Sequence, residues 1–313
     1  MSNIYITGDT NGDFKKILYF CDKYKTSKKD IMIVLEDAGI NYYLDNNDYI
    51  LKEELLNYPI TFFCIHGNHE ERPENIKTYK TKIFNDGIVC YEGKYPNILF
   101  AKDGEIYTLN NKKVLVIGGA YSVDKNYRLM MEYNCYESEQ PSVETKNIII
   151  EKINNNNKVD IVLSHTCPLK YEPTEVFIKD IDQYHVDKSM EKFLDKIEQS
   201  IDYDKWYCGH YHTEKQIDKL EFMFGRIKVF NKDEFYPKYD RNGYEIVRDA
   251  YSQNEVMGKE VFCPKCNSKN ILIQKGDGHR INGADFIAVI CHDCKKVYGF
   301  NDVKYKFNCP KEL

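Results

Sequence analysis

No stretch of the sequence approaches the roughly 18 consecutive apolar residues of a membrane span. Nor is Met1-Ser2-Asn3-Ile4-Tyr5-Ile6 a basic segment followed by a long apolar one, as an export signal requires. The chain is therefore expected to be cytoplasmic. An excess of positive charge is missing too. With 44 Lys and Arg against 49 Asp and Glu the net charge is −5, so any contact with nucleic acid or an anionic surface must be local. There is no internal repeat, and the short run Asn154 to Asn157 reads as a loop. A disulfide framework is a poor reading of eleven cysteines, an odd number in a chain with no export signal. Cys21, Cys64, Cys90, Cys135, Cys167, Cys208 and Cys309 are scattered, several in apolar runs, and read as buried free thiols.

What is present is material for a sizeable core: 42% hydrophobic residues, with 26 tyrosines and 16 phenylalanines. At 313 residues the chain suits one large domain plus a small one. Short β-branched runs end in polar loops: Ile4 to Ile6 before Gly8-Asp9, Ile31 to Leu35 before Glu36-Asp37, and Ile60 to Ile65 before His66-Gly67-Asn68. Continuous apolar runs of this kind suit strands buried on both faces. Val114 to Ile117, Ile161 to Leu163 and Lys205 to Cys208 are further candidates. They end at Gly118-Gly119, Ser164-His165 and Gly209-His210. Phe14, Ile17, Leu18, Cys21 and Tyr24 mark a helix, as do Met190, Phe193, Leu194, Ile197 and Ile201. In open α/β sheets ligands gather at the carboxyl ends of the strands, so Asp, Asn and His residues distant in sequence can converge there.

Hydrolysing a phosphoester near neutral pH takes a strong oxygen nucleophile, charge neutralisation on the phosphate and a proton for the leaving oxygen. Two divalent metals about 3.5–4 Å apart supply the first two. The protein must then offer Asp, Asn and His ligands in two clusters sharing one carboxylate. Asp9 and Asn11, Asp37, Asn68-His69, His165, and His210 with His212 form such an inventory. Each alone is ordinary, a turn or a structural histidine. In order, each at the end of a hydrophobic run, they are not.

Gly8-Asp9-Thr10-Asn11-Gly12, Asp37, Gly67-Asn68-His69-Glu70, Ser164-His165 and Gly209-His210-Tyr211-His212 resemble the five signature blocks of calcineurin-like metallophosphoesterases, over about residues 1 to 230. The resemblance implies an α/β fold, a sandwich of two mixed β-sheets flanked by helices. It implies that Asp9, Asp37 and His212 bind a first metal with Asn11 at a fourth position. Asp37 then bridges to a second metal held by Asn68, His165 and His210. A hydroxide between the metals attacks phosphorus, and His69 takes the part of the family's catalytic histidine at the leaving oxygen. Alternatively, His69 orients its neighbours.

Two departures stand out. The family's Asp-any-His is Asp9-Thr10-Asn11 here, and a neutral amide oxygen is a weaker ligand than imidazole for borderline metals. The first metal is thus expected to bind loosely, to favour a hard ion such as Mn²⁺ or Mg²⁺, with Mn²⁺ preferred, or to be absent. Glu36 stands where the family has Gly before the bridging Asp. Arg72 and Arg128 are candidates for clamping a phosphate. A surface ion pair, such as Asp124 with Arg128, is the competing reading.

Cys263-Pro264-Lys265-Cys266 and Cys291-His292-Asp293-Cys294 form two CxxC pairs, 24 residues apart. Two tight knuckles place four thiolates on one tetrahedral Zn²⁺, in a module resembling a zinc ribbon, too small for much core of its own. Lys265, Lys269, Lys275, Arg280, Lys295, Lys296, Lys304 and Lys306 interleave there with Phe262, Phe286, Tyr298 and Phe300. That pattern suits a nucleic-acid strand or a protein partner, and equally a solvated basic face.

The expected organisation is a phosphoesterase domain over 1–232, a connector over 233–258 and the zinc module over 259–313. The expected activity is metal-dependent hydrolysis of a phosphoester, as phosphatase or phosphodiesterase. The substrate is a small molecule, nucleotide, nucleic acid or phosphoprotein. The alternative is a nucleotide or nucleic-acid binding protein whose weakened first metal site leaves little activity.

Overall fold

The computed structural model describes residues 2–35, 37–155, 158–178, 181–239, 243–247, 262–263, 265–276 and 286–299. Two compact units emerge, one comprising residues 1–14 and 21–235, the other residues 15–20 and 236–313. Glu36, the stretch 248–258, Arg280, Phe300, Lys304, Lys306 and Cys309 lie outside the described residues, as do the side chains of Lys275 and Phe286.

In chain order come β1 (Ile4–Thr7), α1 (Lys15–Tyr24), whose residues 15–20 group with the second unit, β2 (Ile31–Val34), α2 (Asn46–Leu56) and β3 (Thr61–Cys64). Next come β4 (Lys80–Phe84), β5 (Gly87–Tyr91), β6 (Ile98–Ala101), β7 (Ile106–Leu109), β8 (Lys112–Ile117), α3 (Lys125–Met130) and α4 (Val143–Asn155). The remainder is β9 (Ile161–Ser164), α5 (Ser189–Ser200), β10 (Lys205–Cys208), β11 (Lys215–Ile217), β12 (Leu220–Phe222) and β13 (Ile227–Val229). One sheet runs β13-β1-β2-β3-β6-β5-β4 and the other β11-β12-β10-β9-β8-β7. The pairs β1-β2-β3-β6 and β8-β9-β10-β12 are parallel, the outer pairs antiparallel. Both sheets are therefore mixed.

Alternation explains why the sequence runs are apolar throughout. On one side of the first sheet Ile6, Ile33, Phe63 and Leu99 stand in register. They share a core with Val116, Leu163 and Tyr207, in register across the second. The Phe63 and Tyr107 rings meet edge-on, with centroids 4.9 Å apart. The other face of the second sheet, Leu115, Ile117, Val162 and Trp206, is covered by Ile149 and Ile153 of α4 and by Met190, Leu194 and Ile197 of α5. Both faces of each central strand are thus shielded from water. Among the described residues no helix is long and apolar enough to cross a membrane.

Several local expectations change. Asn154 and Asn155 close α4 rather than opening a loop, with Asn156 and Asn157 outside the described residues. Helix α2 carries no apolar stripe. Its buried positions are Asp48, Lys52 and Leu55, spaced i, i+4, i+7, while Tyr49 and Ile50 are exposed. Burial of a lysine there depends on Glu92, whose carboxylate lies 2.7 Å from Lys52 Nζ, both side chains under a tenth exposed. Of the scattered thiols, Cys21, Cys64, Cys90, Cys167 and Cys208 are buried and Cys135 is half-buried.

In the second unit, β14 (Lys238–Tyr239), β15 (Glu245–Val247), β16 (Ile271–Gly276), β17 (Phe286–Cys291) and β18 (Lys296–Gly299) form a sheet ordered β14-β15-β18-β17-β16. The stretch read as a connector therefore contributes two short strands, Ile246 pairing with Val297 in parallel register. The tyrosines there obscured the pattern because strands of two and three residues are too short to show alternation.

Removing one partner of a buried ion pair strands the other charge. Lys52→Met is expected to cost about 3 kcal/mol in urea unfolding, and Lys52→Met with Glu92→Leu to recover most of that loss.

Candidate active site

The parallel strands β1, β2, β3, β8, β9 and β10 release their chains at one end of the two sheets, and their loops are stitched together by backbone bonds. Asn11 and Gly12 donate their N–H groups to Asp37 and Ala38, at 2.8 and 3.1 Å. His165 donates to Ile117, Gly119 to His66, and Gly209 to His165. The buried Glu70 carboxylate accepts from the Ile40 and Gly67 N–H groups, tying the β2 loop to the β3 loop. Gly67 cannot carry a side chain, because a Cβ there would lie 1.9 Å from Asp37 Oδ1.

This scaffold brings all seven expected metal ligands and His69 to one end. Asp9 Oδ2 lies 2.9 Å from His212 Nε2 and 2.6 Å from the Asn11 amide nitrogen. Asn68 Oδ1 lies 2.6 Å from His165 Nε2, and the His165 and His210 rings are 5.0 Å apart. Asp37 Oδ1 accepts from the His69 N–H at 2.9 Å. Asn11, His210 and His212 all hold left-handed backbone, with φ of 44°, 67° and 49°. Non-glycine residues in that region cost of order 1 kcal/mol and concentrate at functional sites.

Charge follows from burial. Although burial opposes the charged form of Asp37, His165 and His69 with the His69 N–H outweigh it and hold the carboxyl below its ordinary range. Burial lowers His165, and burial followed by the neighbouring His165 lowers His210 further. Both imidazoles are therefore neutral near pH 7 and have lone pairs to offer.

The Asn68–His165 contact tests whether a cation fits. Asn68 spends its amide nitrogen on Ser122 Oγ at 2.8 Å, which turns its oxygen toward His165. His165 also has Nδ1 3.3 Å from the Leu35 carbonyl oxygen. A neutral imidazole has a single N–H, so in either tautomer one of these two contacts sets acceptor against acceptor. Protonation would satisfy both, but burial opposes it. A divalent cation taken by Nε2 and Oδ1 relieves the conflict while Nδ1–H donates to Leu35. Two ligands at ~2.1 Å and right angles on one octahedral ion stand about 3 Å apart, near the spacings found here. The sets are not fully closed. Among the described residues only the four module cysteines have three or more His, Cys, Asp or Glu ligand atoms all within 4.8 Å of one another.

His69 lies between two carboxylates, with Nδ1 4.0 Å from Asp37 Oδ2 and Nε2 3.7 Å from Asp124 Oδ1. It also lines a cavity of about 370 Å³ with Asn11, Asp37, Tyr42, Tyr43 and Arg128. Asp124 does not pair with Arg128. Arg72 is a strut, spending Nη1 on Asp103 at 2.6 Å and Nε on the Ser138 carbonyl at 2.7 Å. Sequence reasoning missed Ser122 and Asp124. The strand end at Gly118-Gly119 was read from the sequence, and Asp124 only as a surface partner for Arg128, but Gly118 to Asp124 has no spacing that marks which side chains turn inward.

The profile of the calcineurin-like phosphoesterases matches residues 2–214, and the chain belongs to that family. Its members hydrolyse phosphoesters with divalent metals. One solved crystal structure aligns with 75% of this chain and 97% of its own, at 12% identity and a TM-score of 0.44. A search of curated proteins found no match.

In the second unit the four cysteines close on one another, with Sγ of Cys263 3.5 Å from Cys294 and Sγ of Cys266 3.5 Å from Cys291. These separations exceed any disulfide and approach the ~3.8 Å edge of a tetrahedron with 2.3 Å Zn–S bonds. Asn267 and Lys295, each following the second cysteine of its pair, take left-handed φ of 57° and 54°, so both knuckles turn alike. The set suits a structural zinc ion, as in a zinc ribbon. One zinc per chain is expected by elemental analysis, and its loss in Cys266→Ser together with loss of hydrogen-exchange protection over β16–β18.

Behind His165, Thr166 donates its hydroxyl to Glu191 Oε1 at 2.8 Å. Burial pushes the Glu191 carboxyl up from 4.5 to about 6. The folded chain therefore holds this proton more tightly than the unfolded chain. The resulting stabilisation is complete below 4.5 and is lost as pH rises through about 6. Glu191→Gln keeps an acceptor for Thr166. Its advantage over the native chain in urea unfolding is expected to grow by about 2 kcal/mol between about pH 4.5 and 7.5.

Proposed function

We propose that the chain is a phosphatase or phosphodiesterase whose catalytic domain, over residues 1–232, holds two divalent ions. Asp9, Asn11, Asp37 and His212 hold one, and Asp37, Asn68, His165 and His210 the other. The observation that carries this reading is the acceptor-to-acceptor conflict at Asn68 and His165, which a shared cation relieves. When bound, the ions supply an acidified water and neutralise charge on the phosphate. Asp37 serves both positions from the centre of the site. His69 faces the cavity and delivers a proton to the leaving oxygen, and Asp124 steadies its ring through Nε2. Ser122 fixes the Asn68 amide so that its oxygen points inward.

Asn11 sets the limit on the first position. Its amide nitrogen donates to Asp9 Oδ2, so the carbonyl oxygen must turn before it ligates. Mn²⁺ is the favoured ion, since hard ions accept oxygen ligands well. The same observation supports the second reading, a nucleotide or nucleic-acid binding protein with little turnover. The zinc module, over 259–313 after a connector at 233–258, would then carry recognition. A cytoplasmic location accords with both readings.

Hydrolysis of a chromogenic phosphodiester and its matching monoester with added Mn²⁺ separates them. Turnover is expected to require metal, to fall about 100-fold in His69→Ala and to rise in Asn11→His. Absence of turnover in both the native chain and Asn11→His, with metals bound, would sink the hydrolase reading.

A further inference from the structure

We propose that the cavity beside the metal centre is a nucleotide subsite, in which Arg128 holds an anionic oxygen of the substrate and Tyr43 stacks on its ring. The proposal rests on the hydrolase reading of the adjoining centre and names its substrate class. The cavity is lined by Asn11, Asp37 and His69 from the centre and by Tyr42, Tyr43 and Arg128 beyond it.

Arg128 is the unusual group. It is only 5% exposed, and among the described residues no carboxylate lies within ion-pair range of it. Nη2 donates to the Asn134 carbonyl oxygen at 2.6 Å, and the guanidinium lies 5.3 Å from the Tyr42 ring centre. Nε is buried with no acceptor. The Asp48 carboxylate, which also lines the cavity, is turned to the Tyr43 and Leu44 N–H groups and is not ion-paired with Arg128. A buried guanidinium with no carboxylate partner is costly unless an anion joins it, and Arg128 lines the same cavity as the candidate catalytic histidine. Anchored at one nitrogen and supported by a ring, it is held ready for a phosphate oxygen.

The ring partner follows from the tyrosines. Tyr42 is covered by Arg128. Tyr43 stands edge-on to it, with centroids 4.6 Å apart at 87°, and remains 52% exposed while lining the cavity. Leu51 adds an apolar wall. A volume of about 370 Å³ is at the small end of ligand sites, enough for one ring with its sugar and phosphate rather than a folded peptide segment.

The test uses the full chain in Mn²⁺ and calorimetry with the non-hydrolysable methylenephosphonate analogue of adenosine 5′-monophosphate and with inorganic phosphate. Steady-state kinetics on adenosine 5′-monophosphate and glycerol 2-phosphate run alongside. Arg128→Lys is expected to weaken both ligands about tenfold, through loss of the planar fork. Tyr43→Ala, at an exposed position that tolerates truncation, is expected to weaken the nucleotide analogue about tenfold more than phosphate. It should also lower kcat/KM for the nucleotide about tenfold more than for glycerol 2-phosphate. The native chain failing to bind the analogue, or Tyr43→Ala affecting both ligands alike, overturns the subsite. Selective nucleotide binding without turnover of either monoester or of the chromogenic phosphodiester keeps the subsite and removes the hydrolase reading. Turnover of glycerol 2-phosphate, with nucleotide affinity indifferent to both substitutions, does the reverse.

Discussion

Lone pairs crowd against one another at the carboxyl ends of the two sheets, and much of the surrounding structure holds them in place. Asn68 oxygen faces His165 nitrogen at 2.6 Å because Ser122 has taken the amide nitrogen. Asp37 keeps its charge despite burial, with three histidines around it. Gly67 has no side chain because Asp37 Oδ1 occupies the space a Cβ would need. A native chain that concentrates acceptors this way is shaped for a cation, since unpaired donors and acceptors in a dry interior are otherwise costly.

The strands and the loops that end them were legible because burial on both faces writes itself as uninterrupted apolar runs. Ile31 to Val34 and Ile161 to Leu163 could hardly be anything else. The order of Asp9, Asp37, Asn68, His165 and His210 along those ends was equally plain. Elements whose buried faces are polar escaped notice. Helix α2 turns Asp48 and Lys52 inward and Ile50 outward, an inverted pattern that makes sense only once Glu92, forty residues on, is placed beside Lys52. Ser122 and Asp124 escaped for a similar reason, since a glycine-rich loop announces a turn and not the direction of its side chains.

The two arginines singled out from the sequence part company in the structure. Arg72 is ion-paired with Asp103 through Nη1 and bonded to the Ser138 carbonyl through Nε, leaving Nη2 without an acceptor, and it braces the loops around it. Arg128 has an anchored nitrogen and a ring beneath it but no carboxylate partner. Sequence position could not separate them, because the difference lies in which carboxylate happens to be within reach. Asn11 is a different case. Its left-handed backbone suits asparagine, and its amide sits where a stronger ligand would serve a soft metal better. On the proposed two-ion reading, Asn11 shifts the first position toward harder ions.

The most direct measurement is anomalous diffraction at the manganese edge from crystals grown with Mn²⁺. The account predicts two peaks about 3.5–4 Å apart, one against Asn68, His165 and His210 and the other against Asp9 and His212, with Asp37 between them. Full manganese in the solution and no peak beside Asn68 and His165 would contradict it.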